Sequence, residues 1–199
     1  MQLILKDIVL NTSWIKPGNE SFIYFEKIDS TLNIALDYQY QEHSVGKIVI
    51  ADNQTSGKGS YNKSWYSESC KDLTFSIILG SKNNFQQNLI DETCSVIVKI
   101  LNKYQINSYQ KKPNDIYVKD KKIAGILLSN VQISNGKNYQ ALSVGININS
   151  NIDLKELDIN VKANHTSFAT ELGKEINREK ILVEIIELLD KAIQKQVDQ

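Results

Sequence analysis

The chain has 199 residues, 41% hydrophobic and 23% charged, a composition that suits one domain able to bury a core without disulfides or metals. Lys plus Arg and Asp plus Glu number 23 each, so no global charge pulls the chain toward nucleic acid or a membrane surface, and any anion site has to be local. No run of 18 apolar residues is present, so no transmembrane helix is expected. The opening MQLILKDIVL lacks the basic lead and small-residue cleavage site of a secretory signal. Cys70 and Cys94 show no CxxC spacing, and His43 and His165 fall in no metal-ligand spacing. These features predict a cytoplasmic protein with reduced thiols and no protein-ligated metal.

The first predicted strand is Phe22 to Lys27. Asp29, Ser30 and Thr31 offer capping oxygens to a helix running to about Tyr40. Lys47 to Ala51 reads as a buried strand, 52–64 as a polar, glycine-containing loop, and Leu73 to Leu79 as a second strand. Between Asn84 and Tyr104 the apolar residues, among them Leu89, Ile97, Ile100 and Leu101, make one helical face. Ile116 to Val118 and Lys122 to Gln132 flank a hairpin turn at Lys119-Asp120-Lys121. Ser134-Asn135-Gly136-Lys137 is a stronger turn signal before a strand from Tyr139 to Asn147. Thr166 to Leu172 reads as a short helix ended by Gly173. Asn177 caps a last helix to about Gln194 with an apolar stripe of Ile181, Ile185, Leu188, Leu189 and Ala192. The strands cluster mid-chain without strict βαβ alternation. The fold class predicted is α+β, a mixed and mainly antiparallel sheet packed with helices.

Two segments carry chemistry. In Gln54 to Trp65, QTSGKGSYNKSW, Gly57 and Gly59 flank Lys58 and Lys63 follows. Glycines let a backbone approach a ligand and present N–H groups to an anion, and the lysines add charge. The GxxxxGK[ST] spacing of a phosphate-binding P-loop is absent. In Lys111 to Leu127, KKPNDIYVKDKKIAGIL, Pro113 stiffens a turn that can aim the Lys111 ammonium at a fixed point. Taken singly, either segment also fits a solvated loop or a charged strand start.

Together they resemble biotin protein ligases. KKPNDIYVKDKKIAGIL is similar to that family's KWPNDIYVNGKKIAGIL-type segment, and QTSGKGSYNKSW to its Q-x-x-G-R-G-R-x-G-R-x-W loop. IDSTLN at Ile28 to Asn33, SVGININ at Ser143 to Asn149 and NHTSF at Asn164 to Phe168 resemble three further family motifs, in family order. The resemblance implies a catalytic domain shared with lipoate ligases and, distantly, class II aminoacyl-tRNA synthetases. It implies a two-step reaction. Biotin carboxylate attacks the α-phosphate of ATP, with Mg²⁺, to give biotinyl-5'-adenylate. A lysine of the biotin carboxyl carrier protein of acetyl-CoA carboxylase then takes the biotinyl group. By position, Ser30, Thr31 and Gln54 match biotin-binding residues. Gly57, Lys58, Gly59 and Ser60 match the loop that closes over the biotin carboxylate. Lys111 is matched to the catalytic lysine at the reacting carboxylate, and Gly125 to a close backbone approach. Lys58, Lys63, Asn114 and Asn147 fall at nucleotide-binding positions, and Trp65 closes the loop by packing.

The chain departs from the family pattern at several positions. Lys58 and Ser60 stand where the loop has arginines, and Lys112 replaces the tryptophan of KWPND. Serine cannot offer the planar charged fork that arginine gives phosphate, so a loosely held adenylate is expected. The expectation is a single catalytic domain over residues 1–199, without the N-terminal helix-turn-helix and small C-terminal β-domain of larger members. Neither DNA nor membrane partners are expected, and a homodimer through a sheet edge is possible. The competing readings are a lipoate or octanoate ligase and a non-catalytic biotin-binding module.

Overall fold

The computed structural model describes residues 1–37, 43–132, 136–151 and 164–198. Its centre is a seven-stranded sheet. The strands are β1 (Phe22–Phe25), β2 (Ile48–Ala51), β3 (Leu73–Gly80), β4 (Tyr109–Lys111), β5 (Asp115–Val118), β6 (Lys121–Gln132) and β7 (Asn138–Ile146). Their spatial order is β1-β2-β3-β7-β6-β5-β4. Only β1 and β2 run parallel; every other neighbouring pair is antiparallel, as the hairpin-rich sequence predicts. Among the described residues the α-helices are α1 (Thr31–Leu36), α2 (Gln87–Lys103), α3 (Phe168–Leu172) and α4 (Arg178–Val197).

The two sheet faces have different fates. On one, α2 and α4 cross the strands and pack on each other, so Phe75, Ile77, Leu89, Ile97, Ile185 and Leu189 share one core. Each such side chain, once fully buried, stabilises the fold by ~1.5–3 kcal/mol. On the other face α1 seats Leu32 and Ala35 on Val49, Ile78 and Ala141. Beside it, among the described residues, the same face floors a cavity.

The predicted caps hold. Ser30 Oγ accepts from the Leu32 amide, and Asn177 Oδ1 accepts from the Lys180 amide at 2.7 Å; such a cap contributes ~1 kcal/mol. Gly173 takes φ +69° beyond α3. α1 ends at Leu36, earlier than the predicted Tyr40, with Asp37 as its C-terminal cap. Of the turn predicted at 134–137, positions 134 and 135 fall outside the described residues.

Two features were not predicted. β4 is a three-residue edge strand paired only with β5. The N-terminal segment runs across α4, whose carboxylates hold its backbone. Asp190 accepts from the amides of Ser13, Trp14 and Ile15 at 2.7–2.8 Å, and Glu179 and Glu187 accept from Ile4 and Asn11. Leu3, Leu10 and Ile15 are thereby buried.

Candidate active site

The open half of the sheet floors a cavity of about 830 Å³, within the size range of small-molecule sites. The floor is set by strand register. One row of partners crosses the sheet, from Thr74 on β3 to Gly145 on β7, Gly125 on β6, Asp115 on β5 and Lys111 on β4. The two glycines face each other across β6 and β7, so the floor is flat there, and the Trp65 indole lies on it. A Cβ built on Gly145 would fall 2.3 Å from Trp65 Cε2, and one on Gly125 2.9 Å from Cζ3. Gly145→Ala is therefore expected to displace Trp65. The cost of such overpacking, ~1–3 kcal/mol, should appear as weaker ligand binding and altered tryptophan fluorescence. Unchanged binding and emission would show the indole free to move aside.

Polar groups on and behind one wall form a hydroxyl chain. Gln54 Oε1 accepts from the Thr31 amide at 2.8 Å and from Thr31 Oγ1 at 3.1 Å. Thr31 Oγ1 lies 3.0 Å from Ser76 Oγ, which lies 2.7 Å from Ser143 Oγ. Ser76 and Thr31 are buried. Such a preorganised set of donors and acceptors can hold a planar polar group such as a urea or amide.

The 54–65 loop folds over this floor as a tight hairpin. The Gly59 amide donates to Lys63 O, the Lys63 amide to Ser60 O and the Trp65 amide to Gly57 O. Gly57 is obligatory, since a Cβ there would sit 2.4 Å from Trp65 O. Ser60 Oγ accepts from Asn114 Nδ2 at 2.8 Å, clasping the loop to the start of β5. Tyr61 holds a left-handed backbone, φ 57°, with its side chain exposed at the cavity mouth. Lys58 and Lys63 line the walls as well.

A third wall lysine is Lys122. Its Nζ is 2.7 Å from Asp115 Oδ1 and 5.3 Å from the centre of the Trp65 ring. Strict alternation would put Lys122 on the same face as Ala124 and Ile126, which are core. The β5–β6 register slips by one residue, however: Ile116 pairs with Ala124 and Tyr117 with Lys122. Ile123 and Ala124 both enter the core, and the slip turns Lys122 onto the cavity face beside Gly125. Bulges re-aim side chains next to sites in this way.

Lys111, matched in the sequence to the catalytic lysine, stands apart from the other matched positions. It is exposed and is not among the cavity-lining residues. It stands on the sheet edge at the outer end of the floor row, with its Nζ 4.5 Å from the Tyr117 ring centre. At about 4.8 Å per strand, it lies two strands out from Gly125. The other predicted positions do converge. Ser30, Thr31, Gln54 and Gly125 line the cavity, as do Gly57, Lys58, Gly59 and Ser60, and so do Lys63, Asn114 and Asn147. Sequence reasoning missed Lys122, Asp115, Gly145 and His165. The signal for Lys122 was present: two adjacent core residues, Ile123-Ala124, between a lysine and a glycine break the period of two.

At the far wall Asn147 is buried. Its Nδ2 donates to Thr166 O at 3.0 Å and Lys122 O at 3.3 Å, while Oδ1 has no partner among the described residues. Trp65 Nε1 and His165 Nδ1 are also buried and have no partner among the described residues. Behind this wall Asp72 accepts from the amides of Glu68 and Ile148 at 2.9 Å. Burial pushes its carboxyl up to about 6, against those hydrogen bonds. A folded value above the unfolded one means that the folded chain binds the proton more tightly. Stability from this group is therefore fully present below about pH 4 and lost as pH rises through about 6. Across that window the urea midpoint of the wild type should fall relative to that of Asp72→Asn; a constant difference between them would refute this.

The cavity thus offers three lysines against one carboxylate and a flat glycine floor, which suits a flat ligand joined to phosphate. Comparison with known proteins agrees. The model of the Biotin/lipoate A/B protein ligase family matches residues 24–149, more than half of the chain. The bifunctional ligase/repressor BirA of Bacillus subtilis (strain 168) is 27% identical over 96% of this chain, and the chain spans 61% of that relative's length. The human biotin–protein ligase is 29% identical over 88% of this chain and 25% of its own length. The biotin protein ligase from Aquifex aeolicus solved with biotin and ATP superposes with a TM-score of 0.69 at 25% identity, covering 88% of this chain and 71% of that one. The chain belongs to the Biotin/lipoate A/B protein ligase family, among relatives that are biotin protein ligases.

Proposed function

We propose that this chain is an ATP-dependent biotin protein ligase that forms biotinyl-5'-adenylate and passes biotin to a lysine of a biotin carboxyl carrier protein, that of acetyl-CoA carboxylase. The observation that carries the reading is convergence. Residues from five separated segments, represented by Thr31, Gly57, Asn114, Gly125 and Asn147, meet on one cavity. The Aquifex relative supports the ligand pair, since it was solved with both biotin and ATP. Mg²⁺ is expected to arrive with the triphosphate.

In this reading the Thr31–Ser76–Ser143 chain and Gln54 hold the biotin ureido group, and Trp65 packs along the ligand above the glycine floor. In the first step a carboxylate oxygen bonds to the α-phosphorus and the bond to pyrophosphate breaks. Negative charge grows on the phosphoryl oxygens, so fixed cations rather than a nucleophilic side chain lower the barrier. Lys122, held by Asp115, supplies that charge from the floor, and Lys58 and Lys63 supply it from the loop. In the second step a carrier lysine amine attacks the anhydride carbonyl, and AMP leaves. Lys111 is assigned no role at the reacting atoms.

Labelled biotin, ATP and an isolated carrier domain test the reading, with lipoate as the competing acid. Label on the carrier lysine from biotin is the expected result. Transfer of lipoate in its place would move the chain to the lipoate branch. Ser60 adds a second expectation. It clasps the loop but carries no charge to hold an adenylate, so bystander proteins in the same tube should also acquire label. Ser60→Arg should confine the label to the carrier; if the wild type already labels carrier alone, Ser60 does not loosen the intermediate.

A further inference from the structure

The cavity face of the sheet continues past the Lys122–Asp115 pair, outward over β5 and β4. Across these strands Lys111 pairs with Asp115, and Tyr109 with Tyr117. Ile116 and Val118 enter the core. By alternation Asp115 and Tyr117 face the cavity side, and their partners Lys111 and Tyr109 face it with them. Gln110, between those two, turns the other way and donates to Asp91 on α2 at 2.8 Å. An aromatic ledge results. Tyr117 lines the cavity, and the Tyr109 ring, 47% exposed, lies 6.2 Å from it. Both rings are held in place. The Tyr109 hydroxyl donates to Lys119 O at 2.8 Å, and Lys111 Nζ stands 4.5 Å from the Tyr117 ring centre. Lys111 on the ledge and Lys119 at the turn beside it are exposed. Neither has a carboxylate partner among the described residues. Exposed aromatics that lose little freedom on contact, rimmed by unpaired cations, have the chemistry of a protein-docking surface.

We infer that the Tyr109–Tyr117–Lys111 ledge docks the protein whose lysine receives the acyl group, and that this partner carries carboxylates beside that lysine. The inference rests on the ligase reading, because it is the second step that brings a protein to the cavity. Strand register argues for this occupant. Tyr117 is paired with Tyr109 on one side and with Lys122 on the other. A partner seated on the two rings is therefore one strand spacing, about 4.8 Å, from the Lys122 position, a step that a lysine side chain spans. Charge argues for it as well. The chain carries no net charge, yet the ledge presents lysines without carboxylate partners among the described residues, so it favours an acidic face. A second copy of this chain, docked here about a two-fold axis, would set the same lysines against each other.

The test measures three rates on the full chain: biotin-dependent pyrophosphate exchange, transfer of biotin to an isolated carrier domain, and transfer to the small amine hydroxylamine. The wild type is compared with Tyr109→Ser, Tyr109→Phe and Lys111→Glu. Tyr109→Ser should raise KM for the carrier about tenfold, and Lys111→Glu at least as much, with exchange and transfer to hydroxylamine unchanged. Tyr109→Phe keeps the ring and should keep most of the affinity. Added salt should raise the carrier KM of the wild type more than that of Lys111→Glu. A change that only disturbed the edge strand would lower all three rates together, and that result overturns the inference. So does an unchanged carrier KM in Tyr109→Ser and Lys111→Glu, or a loss of dimer in its place, which would make the ledge a contact between copies. Exchange and carrier transfer in the wild type with the variants unmoved would remove the docking site alone. No exchange in the wild type would remove the ligase reading and the docking site with it.

Discussion

Replacing Lys122 with alanine is expected to slow biotin-dependent pyrophosphate exchange by about 10²–10³-fold, the usual loss on removing one preorganised charge-stabilising group. The loss should fall on kcat, because the ammonium is needed most where negative charge accumulates on the phosphoryl group. Asp115→Ala should give a smaller loss, since it frees Lys122 from its 2.7 Å partner without removing the cation. Lys122→Arg should restore little, because a longer planar fork does not place its charge where the ammonium stands. Lys111→Ala is the discriminating control. Its ammonium lies over Tyr117 at the sheet edge, so exchange should stay near the wild-type rate. A large loss in Lys111→Ala with activity retained in Lys122→Ala would return the catalytic charge to Lys111.

The largest effect on stability is expected at Arg178→Ala. Arg178 and Asp52 form an ion pair at 2.9 Å with both side chains almost wholly buried. The guanidinium also donates to Asp72 O and Met1 O, and Asp52 Oδ2 accepts from the Leu3 amide and the Tyr24 hydroxyl. Burial beside this carboxylate raises the Tyr24 pKa, so Tyr24 stays a donor. Removing the arginine strands a buried carboxylate and costs ~3–5 kcal/mol. Urea denaturation should show this as a drop in midpoint with an unchanged slope. Adding Asp52→Asn should recover part of the loss, because the stranded charge is gone. A loss below about 1 kcal/mol would mean that the pair adds no more than an exposed one. Asp52 follows β2 and leads toward Gln54, so this network also sets where the ligand loop begins.

Much of this was legible in the sequence, and the failures have physical causes. α1 and α4 declared themselves by their caps, and β3, β6 and β7 by runs of β-forming residues. The loop at Gly57 and Gly59 was readable because glycines are required where backbone meets backbone, and Trp65 O closes on Gly57 as that demands. β4 was not readable: Tyr-Gln-Lys has no apolar alternation, and it becomes a strand only because β5 offers an edge. The N-terminal segment is ordered by carboxylates some 175 residues away, and no local pattern encodes such contacts. That Lys122 also reaches the cavity was hidden for the same reason. Lys111 and Lys122 sit in one motif, and only a single-residue slip between β5 and β6 turns Lys122 onto the cavity face.

The central claim is that this cavity activates biotin with ATP, and pyrophosphate exchange tests it most directly. The chain is incubated with ATP, Mg²⁺ and labelled pyrophosphate, with and without biotin, and label entering ATP is measured. Exchange that appears only when biotin is added, and is lost in Lys122→Ala, is the predicted result. Absence of exchange with biotin, or exchange that depends on lipoate or octanoate in its place, would contradict the account.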